Sequence, residues 1–308
     1  MTWPGRRKTC HAHQPEYSPW RQARAAFHPL QNRQTCSVLH SSFLILEARI
    51  QPSIRPSTPF ARHTLVLLLT WAAAGGAHAA HPFITDDTGT QGTAHWQLEV
   101  NTDRTRFSDN GTTTRNQVGN ATLTYGATDT LDVAVNLPYQ YNRTDGQPTN
   151  KGLGDMAVQA KWRFYENEDG LSVGLKPIVT LPSGNENKGL GAGRSTASLN
   201  LLGQYQKDVW ALIANGGLSY NDNKTGDRKN LWNASTALLF SPNEQWTVGA
   251  DVGVSRNADP TSNHTLSYSL LGVQYHIGKN IDVDMGYRRN LHSGPTQHTV
   301  GAGFTGRW

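Results

Sequence analysis

From Ala94 to the end, the chain alternates apolar and polar residues with a period of two. In Trp246–Val254 the residues Trp246, Val248, Ala250, Val252 and Val254 fall on one face, and Thr247, Gly249, Asp251 and Gly253 on the other. Leu131–Tyr141 and Ile281–Tyr287 read the same way, with Asp132 and Asn136 in one and Asp282 and Asp284 in the other opposing the apolar set. Such alternation specifies half-apolar β-strands. The pattern predicts about twelve, near residues 94–107, 113–126, 130–142, 155–165, 170–181, 196–207, 208–221, 231–241, 244–256, 265–277, 279–290 and 296–308. Each is long enough for the roughly 9–11 residues with which a tilted strand crosses a bilayer. Two runs read less cleanly. The second has little apolar contrast, leaving ten or fourteen strands open as counts, and the parity change between Leu270 and Leu271 predicts a bulge or a bend.

The connections sort by length. Short turns are expected around 127–128, 166–169, 207–208, 242–243 and 278, and longer loops at 108–112, 143–154, 182–195, 222–230, 257–264 and 292–295. This alternation fits an antiparallel transmembrane β-barrel of about twelve strands with both termini on the periplasmic side. Tryptophans and tyrosines cluster near the ends of runs, where amphipathic rings meet the bilayer interfaces. The last run alternates up to Trp308, resembling the C-terminal strand read by the barrel assembly machinery. Outer-membrane lipid and that machinery are therefore expected partners, in a Gram-negative bacterium.

A different pattern precedes the barrel. Arg55, Arg62 and His63 lead into Leu65–Leu69, then into small residues ending Ala77-His78-Ala79, the order of a signal peptide. Residues 59–79 are read as that signal, and 80–93 as a periplasmic N-terminal segment before the barrel at 94–308. Residues 1–58, which have no sustained period, are read as a spurious or unstructured extension arising from a start assigned too far upstream. Peptides from residues 9–49 in the secreted protein would overturn that reading.

Composition sharpens the picture where the leader is separated. The net charge of +5 divides into +7 for residues 1–80 and −2 for residues 81–308, so the basicity belongs to the leader and nucleic acid is not an expected partner. Cys10 and Cys36 also lie in the leader, which excludes disulfides and cysteine metal sites from the remainder. The mean hydropathy of −0.56 looks soluble, but alternating strands average to that value in any window.

The face opposite the apolar one carries the candidate lumen residues Glu99, Asp103, Asp132, Asn136, Gln140, Lys161, Arg163, Lys176, Asp251, Asp282, Asp284 and Arg288. Buried charges of both signs are costly unless paired. They either pair across a packed interior or sit in a wet channel, and a narrow, partly wet lumen is the preferred expectation. Other constellations carry little chemistry. Gly189–Gly193 lacks the following helix a phosphate loop needs. His81 with Asp86 and Asp87 reads as a tail or short plug rather than a metal site. Ser293, next to His292, has no identifiable base and orienting group. Neither an enzymatic activity nor a cofactor is expected.

Three motifs carry a family resemblance: His81–Gly92 (HPFITDDTGTQG), Gly152-Leu153-Gly154-Asp155, and Leu181-Pro182-Ser183-Gly184. Together they resemble the outer-membrane proteins grouped under the meta-pathway of phenol degradation. The resemblance spans roughly residues 81–308 and implies an outer-membrane barrel associated with uptake of aromatic compounds, without assigned functional residues. The function expected is a channel or transporter for passive uptake of small solutes, aromatic or hydrophobic compounds among them. The alternative is a sealed barrel with a structural or adhesive role.

Overall fold

The computed structural model describes residues 81–109, 111–291 and 296–308. The leader, both cysteines, His292 and Ser293 lie outside the described residues. The strands are β1 (Trp96–Asp109), β2 (Thr112–Thr128), β3 (Leu131–Thr144), β4 (Asn150–Leu153), β5 (Ala157–Glu166), β6 (Leu171–Thr180) and β7 (Thr196–Lys207). They continue as β8 (Trp210–Tyr220), β9 (Asn230–Asn243), β10 (Trp246–Arg256), β11 (Thr265–Ile277), β12 (Ile281–Asn290) and β13 (Gln297–Arg307).

Each strand pairs antiparallel with its neighbours, and the first strand pairs with the last, Val100 opposite Phe304. Short β4 and longer β5 both pair with β3, one along each half, so they are two parts of one interrupted barrel strand. Thirteen segments thus make a closed twelve-stranded barrel. Closure leaves no edge, the condition for a sheet in a solvent that offers no hydrogen bonds.

Burial is inside-out relative to a water-soluble domain. Among the described residues the buried set holds 28 polar or charged residues against 12 hydrophobic ones, while leucines, valines and aromatics cover the exterior. Apolar area facing outward at this density is a surface matched to lipid. Ring pairs sit where β1 and β2, β8 and β9, and β10 and β11 meet their short-turn end: Trp96–Tyr125 at 4.7 Å, Trp210–Phe240 at 4.6 Å and Trp246–Tyr275 at 4.6 Å. Tyr141, Tyr220, Trp232 and Tyr287 are exposed toward the opposite end.

Three details differ from the sequence pattern. The second strand is among the longest, because Asn120, Thr122 and Thr124 face inward against Ala121, Leu123 and Tyr125 outward. Its hairpin with β1 is tight, the pairing running up to Asp109 opposite Thr112, where a longer loop was expected. The predicted bulge in β11 is absent, since the pairing with β10 and β12 is continuous through Leu270 and Leu271. Leu266, Tyr268 and Leu270 instead share the inward parity of Gln274 and His276, Leu270 being buried and Leu271 exposed. Irregularities occur near the short turns, at Gly126–Thr128, Arg163–Tyr165 and Trp246–Val248.

Leu201 lies midway along β7 and is exposed on the outer face. Leu201→Arg should cost about 2–4 kcal/mol at the bilayer midplane, measured by urea unfolding in phospholipid vesicles. A cost under about 0.5 kcal/mol, the usual result at a water-exposed site, would contradict the lipid-facing assignment.

Candidate functional site in the barrel interior

Residues 81–93, expected as a periplasmic segment, run inside the barrel. Their partners fall in order around the wall. His81 Nδ1 contacts Asp284 of β12, and the His81 carbonyl accepts from Gln274 Nε2 of β11 at 2.7 Å. Ile84 N–H and Thr85 N–H donate to Asp251 Oδ2 of β10 at 2.7 and 2.8 Å. Thr85 Oγ1 and Tyr268 Oη donate to the other oxygen of that carboxylate at 2.8 and 3.0 Å. Asp86 exchanges two hydrogen bonds with Asn215 of β8, its N–H donating at 2.6 Å and its carbonyl accepting at 2.8 Å. Its carboxylate takes Lys161 Nζ of β5 at 2.7 Å and Lys176 Nζ of β6 at 2.6 Å, and Asp87 adds a second contact to Lys161 at 3.3 Å. Thr88 meets Ser172 and Gln204, and Gln91 N–H reaches Asp132 of β3 at 3.1 Å. The segment is therefore a hoop on the inner wall, running from β12 to β3.

Wall glycines make the space. A Cβ on Gly272 would stand 2.5 Å from Pro82 Cγ and 2.9 Å from Phe83 Cε1, one on Gly249 2.8 Å from Phe83 Cζ, and one on Gly286 2.7 Å from Pro82 Cβ. Distances below 3.0 Å cannot be met without displacement, so these inward positions form a floor only glycine can supply. The hoop leaves the lumen through a turn with Gly92 at φ 81° and Ala94 at φ 64°, fastened by Thr93 Oγ1 donating to Asp129 at 2.6 Å.

The sequence-predicted residues divide by partner. Lys161, Lys176, Asp132, Asp251 and Asp284 hold the hoop directly. Glu99, buried on β1, accepts from Asn101 Nδ2 at 2.9 Å, and Asn136 donates to Asn120 at 2.9 Å, so an amide chain crosses β1, β2 and β3. Asp282 is satisfied within the wall by Arg307 Nη2 and His276 Nδ1, each at 2.7 Å. Asp103 and Arg288 share a small hollow with Pro82, Gly286 and Gly301. Gln140 reaches toward the Leu190 carbonyl at 3.4 Å. Arg163 lies apart from the hoop, at the short-turn end beside Glu166 and the Asp129 carbonyl. His81 does not converge with Asp86 and Asp87, which face the two lysines instead. Sequence reasoning missed Asn215, Tyr268 and Gln274 because nothing marked the segment as their partner. The available signal was the run of glycines at inward parity on β10 to β13.

A second obstruction is the loop at 181–195. The break between β4 and β5 frees Asp155, which accepts from Gly184 N–H at 2.8 Å and Ala192 N–H at 2.6 Å. Ser183 Oγ bridges the same break, accepting from Met156 N–H at 2.7 Å and donating to the Gly154 carbonyl at 3.0 Å. The clasp folds the loop back so that Leu190 is 2% exposed. Gly189–Gly193 serves this close approach, a Cβ on Gly191 falling against the Asp155 carboxylate. Loops then tie to one another. Lys224 pairs with Glu186, while Lys229 and Arg194 pair with Asp222. These cations hold both carboxyls below the usual carboxylate range. Arg228 donates to the carbonyls of Asn257, Pro260 and Ser262 and to Asn263 Oδ1, at 2.7–3.1 Å.

The hoop, the strand break and the clasped loop are the three places where short motifs stand out in the sequence. Residues 79–308 match the family described as "Putative MetA-pathway of phenol degradation". The chain belongs to this family. Among solved structures it is similar to the COG4313 outer membrane channel from Pseudomonas putida F1, at 16% identity and a TM-score of 0.63, over 72% of this chain and 98% of that one. It also resembles the translocator domain of the autotransporter NalP from Neisseria meningitidis, at 14% identity and TM-score 0.46, over 70% of this chain and 89% of that one. The CymD monoaromatic hydrocarbon channel aligns at 11% identity and TM-score 0.47, over 71% and 90%. No curated protein matches the sequence. The fold is that of an outer-membrane β-barrel, with an apolar belt on its outer face.

Asp155→Ala removes two charge-assisted hydrogen bonds, each worth about 1.5–3 kcal/mol. The clasped loop should open, and trypsin should cut folded barrel after Lys188 at least about tenfold faster than wild type. Unchanged cleavage would show that the loop is held by other contacts.

Proposed function

We propose that this protein is a non-enzymatic outer-membrane channel for passive uptake of small solutes, its lumen gated by the inner hoop. The observation that carries this reading is what fills the barrel. A wall built to be sealed fills a lumen with its own large side chains, and small barrels do so. Here Gly249, Gly272, Gly286, Gly301 and Gly303 leave room, and a separate chain segment occupies it through ion pairs and hydrogen bonds. Such contacts can be exchanged for water when the segment shifts, whereas a packed wall cannot empty.

In this reading the short turns and both termini face the periplasm and the clasped loops face outside. Glu99, Asp103, Asp132, Asn136, Gln140, Lys161, Lys176, Asp251, Asp284 and Arg288 line the route or the hoop's seat, Asp282 braces the wall beneath it, and Arg163 marks the periplasmic rim. The leader through Ala79 is removed on export, and the assembly machinery reads the last strand ending at Trp308. The family's name supports a solute drawn from phenolic or other aromatic compounds, small and neutral enough for a mixed-charge interior.

Single-channel recording in planar bilayers tests the proposal. Asp86→Ala strands the buried Lys176 and leaves the half-buried Lys161 with Asp87 alone, a loss of about 3–5 kcal/mol to the docked hoop. The variant should show larger or more frequent conductance steps than wild type, with phenol modulating both. A folded, heat-modifiable barrel that never conducts in either form would leave the sealed structural or adhesive barrel as the better account.

A further inference from the structure

We infer that the outer face of β12, β13, β1, β2 and β3 carries a docking site for a phosphorylated glycolipid of the outer leaflet, of the lipopolysaccharide class. The inference rests on the loops facing outside, as in the channel reading, and not on whether the lumen conducts. Strand register builds a row of cations. Arg289 of β12 stands opposite His298 of β13, and His298 opposite Arg106 of β1. Arg106 stands opposite Arg115 of β2, and Arg115 opposite Arg143 of β3. Residues directly opposite share one face of the sheet. The row has the parity of Met285, Val300, Trp96, Leu123 and Tyr141, all exposed on the outer wall. Four strand spacings of about 4.8 Å make it about 19 Å wide.

Like charges directly opposite one another destabilise a sheet. Arg115 pairs with Asp145 at 2.8 Å, but Arg106, Arg143 and Arg289 have no ion pair among the described residues. The row therefore calls for an external anion. One step nearer the apolar belt, Arg104 stands opposite Val300 and Gln117, and Lys151 of β4 opposite Tyr141. Tyr287 occupies the same level, opposite Val300, so these cations lie among the rings that mark a bilayer interface. The next outward positions are Met285, Ala302 and Leu153, where the belt begins.

A ligand suited to this face carries its negative charge directly above apolar chains. Guanidinium groups match phosphate through paired N–H donors. A soluble anion has no use for the rings and belt below the arginines. A second copy across a two-fold axis would set cations against cations. A phosphorylated glycolipid meets both levels, with phosphates among Arg106, Arg115 and Arg143 and acyl chains against Met285 and Leu153. The feature is local. Across β6 to β9 the outward row next to the loops is Val179, Ala197, Tyr220 and Asn230, none of them charged.

The test uses mature protein purified from outer membranes in neutral detergent and stripped of lipid. Bisphosphorylated lipid A is titrated in, and bound lipid is read by native mass spectrometry. Each charge-assisted bond to phosphate is worth about tenfold in affinity or more, so the dephosphorylated lipid should bind at least about tenfold more weakly. The triple variant Arg106→Gln, Arg115→Gln, Arg143→Gln should lose about tenfold or more for the phosphorylated form, whereas Lys207→Gln at the short-turn end should lose nothing. Only protein with heat-modifiable mobility is compared, and where the triple variant does not fold, Arg106→Gln and Arg143→Gln are compared singly. Equal binding of the two lipids, or unchanged affinity in the arginine variants, would overturn the site. Competition by inorganic phosphate as strong as by the lipid would reduce it to a free-anion site and overturn the lipid assignment. Orientation is read separately. Residues 81–308 contain no cysteine, so Gln147→Cys, in the exposed loop beyond Arg143, should react with a membrane-impermeant maleimide on intact cells. Labelling only after the outer membrane is permeabilised would overturn the outer-leaflet assignment, whatever the lumen conducts.

Discussion

A bilayer interior offers the backbone no hydrogen-bonding partner, and every feature of this barrel follows from meeting that condition. An unpaired N–H or carbonyl facing lipid would cost several kcal/mol, so the sheet must close. Pairing of β1 with β13, carried to the mutual bonds between Trp96 and Trp308, removes the last edge. Closure then fixes two faces on each strand. The outer one must be apolar and the inner one is free to be polar, the reverse of a water-soluble core.

Polarity on a closed inner face creates the second problem, because charges inside a narrow barrel are stable only when paired or hydrated. The wall answers partly from within, as Arg307 and His276 do around Asp282. Much of the remainder is met by the chain itself. Asp86 satisfies two lysines of different strands, and Asp251 is satisfied by two hoop N–H groups and two hydroxyls. Hoop and wall are thus complementary halves of one network, and neither half's burial is reasonable without the other. The same logic links the strand break at Gly154 to the loop at 181–195, where a carboxylate released from the ladder captures two loop N–H groups.

The arrangement separates a rigid from an exchangeable part. Ladder hydrogen bonds and the lipid-facing belt are continuous and cooperative. Hoop and clasped loop are held instead by side-chain ion pairs and hydrogen bonds to the wall.

Strand number, pairing, closure and the outward apolar belt were legible along the chain, because a period of two maps each residue onto one face of a pleated strand whatever its neighbours are. The inward placement of Asp251 and Asp284 followed from the same parity. What parity cannot express is distance between residues far apart in sequence. Nothing local distinguishes Asp86 and Asp87 in a periplasmic tail from the same pair buried against Lys161 and Lys176. Leu270 looked like a break in the pattern because an apolar residue facing inward makes sense only beside Pro82, which shares its hollow. The inward glycines, unremarkable as sequence, became meaningful once the hoop lay across them. The chain by itself determined the wall, since the solvent around it is uniform and imposes one repeating rule. Only the tertiary structure decided what the wall encloses, since that depends on which particular charges and spaces the closed barrel brings face to face.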